Sequence, residues 1–341
     1  MLLENIELLS APMKQALYDA GIREVEQLVT FTSLQLSERC KGMSFDEAAT
    51  ILDLVTIREG EDFPVGVSGY ELWKTMEEVA PETIPTFCQP LDELLGGGIS
   101  VGVLTEIVGA PGAGKTQLCH QLAASVQLPQ GLGGLDGRAM FIDTEGSFIA
   151  GRFREVAQAT VAQLQKVVNQ QGAAGHGTAA RSAAEQLTVG KILGNSAYFR
   201  CYDVSELVAL FNVLPEILKG DPCTRLLIVD SVAFHFRHSF DDMALRSRML
   251  FQCSQALAAL AKNFNVAVVV TNQMTSRMTS DDASAPELVP ALGDSWAHGV
   301  GVRIVLSGDG EVRKATVEKS PTHPKGVAAF RIATKGIRSV V

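Results

Sequence analysis

The chain has no run of the roughly 18 apolar residues that a membrane-spanning helix needs, although 46% of its 341 residues are hydrophobic. Its start, Met1-Leu2-Leu3-Glu4-Asn5, lacks the basic stretch and long apolar core of a secretory leader. The expectation is a soluble intracellular protein that touches no membrane. Cysteine is sparse: Cys40, Cys88, Cys119, Cys201, Cys223 and Cys253 lie far apart with no C-x-x-C pair. That spacing points away from a zinc site and from a disulfide framework, and toward reduced, mostly buried thiols. Aromatic residues make up only 6% of the chain, which leaves few rings for stacking on nucleic-acid bases. Excess positive charge is missing too. With 29 Lys and Arg against 38 Asp and Glu, the net charge of −9 excludes capture of nucleic acid by the molecule as a whole. Any such contact falls to local patches.

Charge is unevenly distributed. Residues 1–60 hold five basic and ten acidic side chains, whereas residues 303–341 hold eight basic and three acidic ones. Residues 1–60 read as a small helical N-terminal domain. Ala20-Gly21 suits a helix C-terminus, Ser44 with Glu47 reads as a capping box at a new start, and Leu17, Ala20, Ile22, Val25 and Leu28 form the expected core. Residues 61–84 are rich in Pro, Gly and acids and read as a linker that carries Phe63, Tyr70, Leu72 and Trp73. Residues 85–341 form the main domain. Its short apolar runs, Leu104–Val108, Ala139–Asp143, Leu226–Asp230 and Val266–Thr271, alternate with helical stretches. Near-continuous apolar strands of this kind are covered on both faces, so the fold class is α/β with a mostly parallel central sheet. Arg303–Leu306, Ala315–Glu318 and Ala328–Ile332 alternate more and read as antiparallel strands completing it. Residues 172–184, small and without apolar period, read as a surface loop.

The strongest chemical signal is Gly109, Ala110, Pro111, Gly112, Ala113, Gly114, Lys115 and Thr116, a complete G-x-x-x-x-G-K-[ST] P-loop directly after an apolar strand and before a helical run opening at Gln117. Glycines let backbone N–H groups curl around phosphate oxygens, and the helix N-terminus adds its positive dipole end. The expected ligand is ATP with Mg2+. Lys115 neutralises the β- and γ-phosphates, and the Thr116 hydroxyl faces the metal. Asp230, at the end of Arg225–Asp230, stands where a second metal-holding group belongs, acting through water. Asp143 and Glu145 follow another strand, and Glu145 is placed to orient or deprotonate the attacking water. Thr271-Asn272-Gln273 ends a buried strand in polar residues, and Gln273 is placed to sense the γ-phosphate and pass its state into the loop that follows.

Together with Leu94-Leu-Gly-Gly-Gly98, Phe141-Ile-Asp-Thr-Glu-Gly-Ser-Phe148, Leu226-Leu-Ile-Val-Asp-Ser231, Thr271-Asn-Gln-Met274 and Lys319-Ser-Pro321, these residues resemble the RecA-like recombinases of the eukaryotic and archaeal branch over residues 85–341. Within that family Tyr198-Phe-Arg-Cys201, Val232-Ala-Phe-His-Phe-Arg-His238, Asp241-Asp242, Arg246-Ser-Arg248 and Leu288–His298 are most similar to the paralogue lettered C. The resemblance implies a RecA-like P-loop ATPase core that is DNA-dependent and slow in isolation. It also implies single-stranded or branched DNA as a ligand, and other recombinase paralogues in hetero-oligomeric complexes and the recombinase filament as partners. Homologous-recombination repair in the nucleus, with some cytoplasmic presence, follows as the setting. Two loops, around His235–Asp242 and Met274–Pro290, would line the DNA path, with Arg237, Arg246, Arg248 and Arg277 as phosphate contacts, and Arg152 would pack near the adenine. Strand-exchange members carry a glycine pair after the second-loop proline, whereas this chain reads Pro290-Ala-Leu-Gly293, with Asp281, Asp282 and Glu287 in the loop. The linker also lacks a Phe-x-x-Ala element, Phe63-Pro-Val-Gly66 being the nearest approach. Both departures point to a mediator that acts within complexes. A filament-forming strand-exchange recombinase and an ATP-stabilised scaffold with negligible turnover are the alternatives.

Overall fold

The computed structural model describes residues 9–28, 31–58, 68–70, 74, 82–171, 178–238, 240, 242–277, 287–308 and 310–340. The chain divides into two compact units, Met1–Val79 and Ala80–Val341.

In the first unit α1 (Ala11–Asp19), α2 (Val25–Leu28), α3 (Ser33–Arg39) and α4 (Phe45–Arg58) surround Leu17, Ile22, Leu28, Leu36 and Ile51. Local sequence sets their ends. Gly21 takes φ +81° after α1, where its N–H reaches Tyr18 O and that of Ile22 reaches Leu17 O. This is a Schellman turn, and only glycine adopts its left-handed residue without a Cβ penalty. Ser44 and Glu47 form the expected box, with Glu47 N–H on Ser44 Oγ at 3.2 Å and Ser44 N–H on Glu47 Oε2 at 2.8 Å. Thr32 and Gln35 make a second one at α3, unforeseen because the short helix leaves little periodicity to reveal it. Val25 and residues 61–67, including Phe63, lie outside the described side chains.

In the second unit the strands are β1 (Thr83–Ile84), β2 (Ile99–Ser100), β3 (Leu104–Gly109), β4 (Arg138–Asp143), β5 (Ser196–Arg200), β6 (Thr224–Asp230), β7 (Ala267–Arg277), β8 (Glu287–Pro290), β9 (Val302–Ser307), β10 (Val312–Lys319), β11 (Gly326–Ala333) and β12 (Gly336–Ser339). The helices are α5 (Gln89–Leu94), α6 (Lys115–Ser125), α7 (Ala150–Gln171), α8 (Thr178–Gln186), α9 (Val189–Gly194), α10 (Val204–Gly220), α11 (Val232–His238), α12 (Met243–Phe264) and α13 (Gly293–Gly299). The main sheet runs β12-β11-β10-β9-β3-β7-β6-β4-β5, with β8 attached to β7. Strands β9, β3, β7, β6, β4 and β5 are mutually parallel, and β10 to β12 return antiparallel.

Side chains alternate across a strand, so each apolar run feeds two cores. Phe141, Ile228 and Val269 pack on one face with Leu118 and Leu122 of α6 and Phe153 and Val156 of α7. Ile142, Val229 and Val270 pack on the other with Phe211 and Leu214 of α10, Phe236 of α11, Leu257 of α12 and Trp296 of α13. Each such fully buried aliphatic or aromatic side chain contributes about 1.5–3 kcal/mol. Two local expectations change. Strand β7 does not stop at Gln273: it continues to Arg277 because Met274–Arg277 pair antiparallel with Glu287–Pro290. Residues 178–184, read as loop, belong to α8, where alanine's helix propensity outweighs the weak periodicity.

Candidate nucleotide site

The P-loop joins β3 to α6. Gly112 and Gly114 take φ +81° and +106°, and a Cβ on Gly114 would stand 2.5 Å from Ile332 Cδ1, so both geometry and space call for glycine there. Lys115 opens α6 and donates to Gly109 O at 2.7 Å and Ala110 O at 3.1 Å. Burial lowers its ammonium pKa, and the charges of Asp230 and Glu145 partly offset this. A pocket of about 500 Å3 opens here, lined by Pro111, Gly112, Gly114, Lys115, Thr116, Gln117, Glu145, Asp230, Gln273, Arg313 and Ile332. A larger cavity of about 850 Å3, lined by Phe87, Leu128, Leu132 and Leu164 among others, lies away from the P-loop and carries none of this chemistry.

The parallel sheet brings Asp230, at the end of β6, to the start of α6. Thr116 Oγ1 donates to Asp230 Oδ2 at 2.6 Å, Ser147 Oγ reaches the same oxygen at 3.2 Å, and Thr271 Oγ1 donates to Oδ1 at 2.5 Å. Burial raises the Asp230 pKa against the pull of these hydroxyls. A carboxylate ringed by hydroxyls is an oxygen-only donor set, the kind that suits a hard cation such as Mg2+ shared with phosphate.

Asp143 is fully buried and shapes the loop after β4. Its Oδ1 accepts the N–H groups of Glu145, Gly146 and Ser147, and its Oδ2 that of Phe148 and the Tyr198 hydroxyl. Thr144 and Ser231 lock this loop to the end of β6: Thr144 Oγ1 donates to Ser231 O and accepts from Ser231 N. Glu145 is thereby held at the pocket. Its Oε1 accepts from Ser231 Oγ at 2.6 Å and from Gln273 Nε2 at 2.9 Å.

Gln117 lines the pocket and accepts from Arg152 Nε at 2.7 Å, while the other guanidinium nitrogens reach Glu155 and the carbonyls of Ala333 and Thr334. Arg152 therefore ties α7 to α6 and to the β11–β12 turn. Of the arginines assigned to DNA by resemblance, Arg237 donates to Gln273 Oε1 at 2.6 Å. Arg246 braces Phe236 O and Ala291 O; burial and then the charge of Arg237 lower its pKa. Arg248 is exposed on α12. Arg277 is placed by its backbone opposite Glu287, and its side chain lies outside the described ones. Sequence reasoning missed Ser147, Ser231 and Thr271 as partners of the two carboxylates, and Arg313 and Ile332 as pocket walls. The three hydroxyls lie within two residues of an already chosen carboxylate or glutamine, which is the signal that could have found them.

Comparison with known proteins agrees with this geometry. The family model described as Rad51 matches residues 80–182 and 178–340. The DNA repair protein RAD51 homolog 3 of Cricetulus griseus is 37% identical over 337 residues, covering 97% of this chain and 90% of that protein. The RAD51 homolog 3 of Dictyostelium discoideum is 37% identical over 257 residues, covering 75% of this chain and 65% of that one. The DNA repair and recombination protein RadA of Aeropyrum pernix is 33% identical over 329 residues, covering 95% and 92%. With a P-loop, a strand-end Asp230 and a loop-borne Glu145 on a mostly parallel sheet, and matches that span nearly its whole length, the chain belongs to the Rad51 family.

Proposed function

We propose that the chain is an ATP- and DNA-binding recombinase paralogue of homologous-recombination repair, a mediator that works in the nucleus within hetero-oligomeric paralogue complexes and on the recombinase filament. The observation that carries the catalytic part is the convergence of Lys115, Thr116, Asp230 and Glu145 on one pocket. Gly112 to Thr116 cradle the phosphates with backbone N–H groups and Lys115 adds its charge. Thr116 and Asp230 would hold Mg2+, which screens phosphate charge when bound. Glu145 accepts the proton of the attacking water, and Gln273, bonded to it, is the group that reports the nucleotide state toward β7 and β8. Gln117, with Arg152 behind it, walls the nucleoside side.

The DNA-binding and partner parts rest on the relatives, named for DNA repair and recombination. Arg237, Arg246, Arg248 and Arg277 are the proposed phosphate contacts. Among the described residues no helix is long and apolar enough to cross a membrane. Slow turnover in isolation is supported by Glu145 itself, since two donors already share its Oε1. The same observation favours the scaffold as a second reading.

ATP turnover with and without single-stranded DNA tests the proposal. Glu145→Gln should retain ATP affinity and lose about 100-fold or more in kcat, the scale of a general base. Lys115→Ala should lose ATP binding itself. Turnover unchanged in Glu145→Gln would remove Glu145 from the mechanism. Tight ATP binding without turnover under any condition would select the scaffold.

A further inference from the structure

Helix α11 reaches the Glu145 carboxylate from both of its ends. At its start, Ser231 Oγ accepts from Phe234 N–H at 3.2 Å and donates to Glu145 Oε1. In its last turn, Arg237 donates to Gln273 Oε1 at 2.6 Å, and the amide nitrogen of the same Gln273 donates to Glu145 Oε1 at 2.9 Å. A carboxylate oxygen offers two lone pairs, and two donors fill them. While both stay, Oε1 has no lone pair with which to take a proton from water, the carboxylate is pinned in one orientation, and only Oε2 is left to act as base.

The Gln273 amide is directional. With a guanidinium on its oxygen, its NH2 end must face Glu145. A half-turn would set oxygen against carboxylate and NH2 against guanidinium, repulsive at both ends. Arg237 therefore decides which end of Gln273 the carboxylate meets. Its neighbour Arg246 is already fixed on Phe236 O and Ala291 O, so two cations sit close together on neutral oxygens. Among the described residues no carboxylate pairs with Arg237. A phosphodiester oxygen meets the guanidinium with a full negative charge and can be bound by two parallel N–H groups, where the Gln273 carbonyl offers only a dipole, so a phosphodiester arriving at α11 outcompetes the Gln273 amide for the guanidinium.

We propose that Arg237 is a positioning residue that latches Gln273 onto Glu145 and holds that carboxylate by one oxygen in a fixed orientation until a DNA phosphate draws the guanidinium away. This rests on the ATPase reading above and deepens it: the same arginine both senses DNA and restrains hydrolysis.

The test is steady-state ATP hydrolysis by the full chain, with and without a single-stranded oligonucleotide, for wild type, Arg237→Ala and Arg237→Lys, with ATP affinity and melting temperature measured in parallel. Arg237→Ala should raise DNA-free kcat about tenfold or more, the factor by which one hydrogen bond to a charged group moves an equilibrium, at unchanged KM and melting temperature, and should blunt stimulation by DNA. Arg237→Lys, which keeps charge and a donor, should fall back toward wild type. A purely structural arginine would lower kcat or stability, and that result overturns the latch. So does unchanged DNA-free turnover with weaker DNA binding, which makes Arg237 a phosphate contact only. Tight ATP binding with no turnover even in Arg237→Ala overturns the latch and leaves the nucleotide site standing. Failure of the wild type to bind ATP removes the nucleotide site and the latch together.

Discussion

Acidification should unlock the core unit through one side chain, His120. It lies on α6, 1% exposed, in a box of Phe141, Phe148 and Phe153, and neither ring nitrogen has a hydrogen-bond partner. Burial, and then the nearby Arg152 charge, pushes its pKa from the usual 6.5 down to about 4, so the imidazole is neutral in the fold. The unfolded chain takes up the proton first. The stability held by a neutral His120 is complete above pH 6.5 and is lost as pH falls toward 4. The gap between 6.5 and about 4 caps the loss at about 3 kcal/mol, at roughly 1.4 kcal/mol per pH unit, and about 2 kcal/mol of it is gone by pH 5. Asp92 works in the opposite direction: burial raises its pKa to about 6, so the fold binds a proton that the unfolded chain does not, and acid favours the fold there. The decisive quantity is therefore the difference between wild type and His120→Leu, a swap of similar volume that removes the titration. Urea unfolding at pH 7, 6 and 5, followed by tryptophan fluorescence with Trp296 buried in the core unit, measures it. His120→Leu should gain about 2 kcal/mol on wild type between pH 7 and pH 5. Parallel curves for the two proteins would refute the argument. Because Phe148 packs on His120 and closes the loop that carries Glu145, ATP affinity should weaken over the same pH range in wild type and hold in the variant.

Glu106 is a fully buried carboxylate on β3 that accepts from Asn272 Nδ2, Trp296 Nε1 and Arg303 Nε. Glu106→Ala strands the Arg303 charge in the interior and should cost about 3–5 kcal/mol, read as a lower urea midpoint; a midpoint within error of wild type would show the network to be dispensable. Gly114→Ala forces a Cβ onto Ile332 at φ +106°, and should abolish ATP binding in calorimetry while the helical circular-dichroism signal persists.

The sequence by itself determined whatever depends on neighbours along the chain. The P-loop is one contiguous stretch whose glycines, lysine and threonine act through local backbone shape. Gly21 and the Ser44–Glu47 box end and start helices through bonds three to five residues long. The apolar runs of β4, β6 and β7 imply a sheet covered on both faces, and Asp230 and Glu145 are visible because parallel strands deliver their C-terminal ends to one edge. Other features depended on residues far apart. Asp143 stands two residues before Glu145 at the end of an apolar strand, and that it spends its oxygens on the backbone of residues 145–148 is shown only by the folded loop. Arg152 reads as a nucleotide neighbour, and its bonds to the pocket residue Gln117 and to two carbonyls more than 180 residues away in sequence appear only in the fold. The polar end of β7 reads as the start of a loop, because the partner that extends it, Glu287–Pro290, lies further along the chain. Glu145, Ser231, Gln273 and Arg237 come from the ends of β4 and β6, from β7 and from α11. Their connection depends on strand order and on which end of an amide faces a carboxylate, and no periodicity or spacing along one chain encodes either, so only the tertiary structure could decide it.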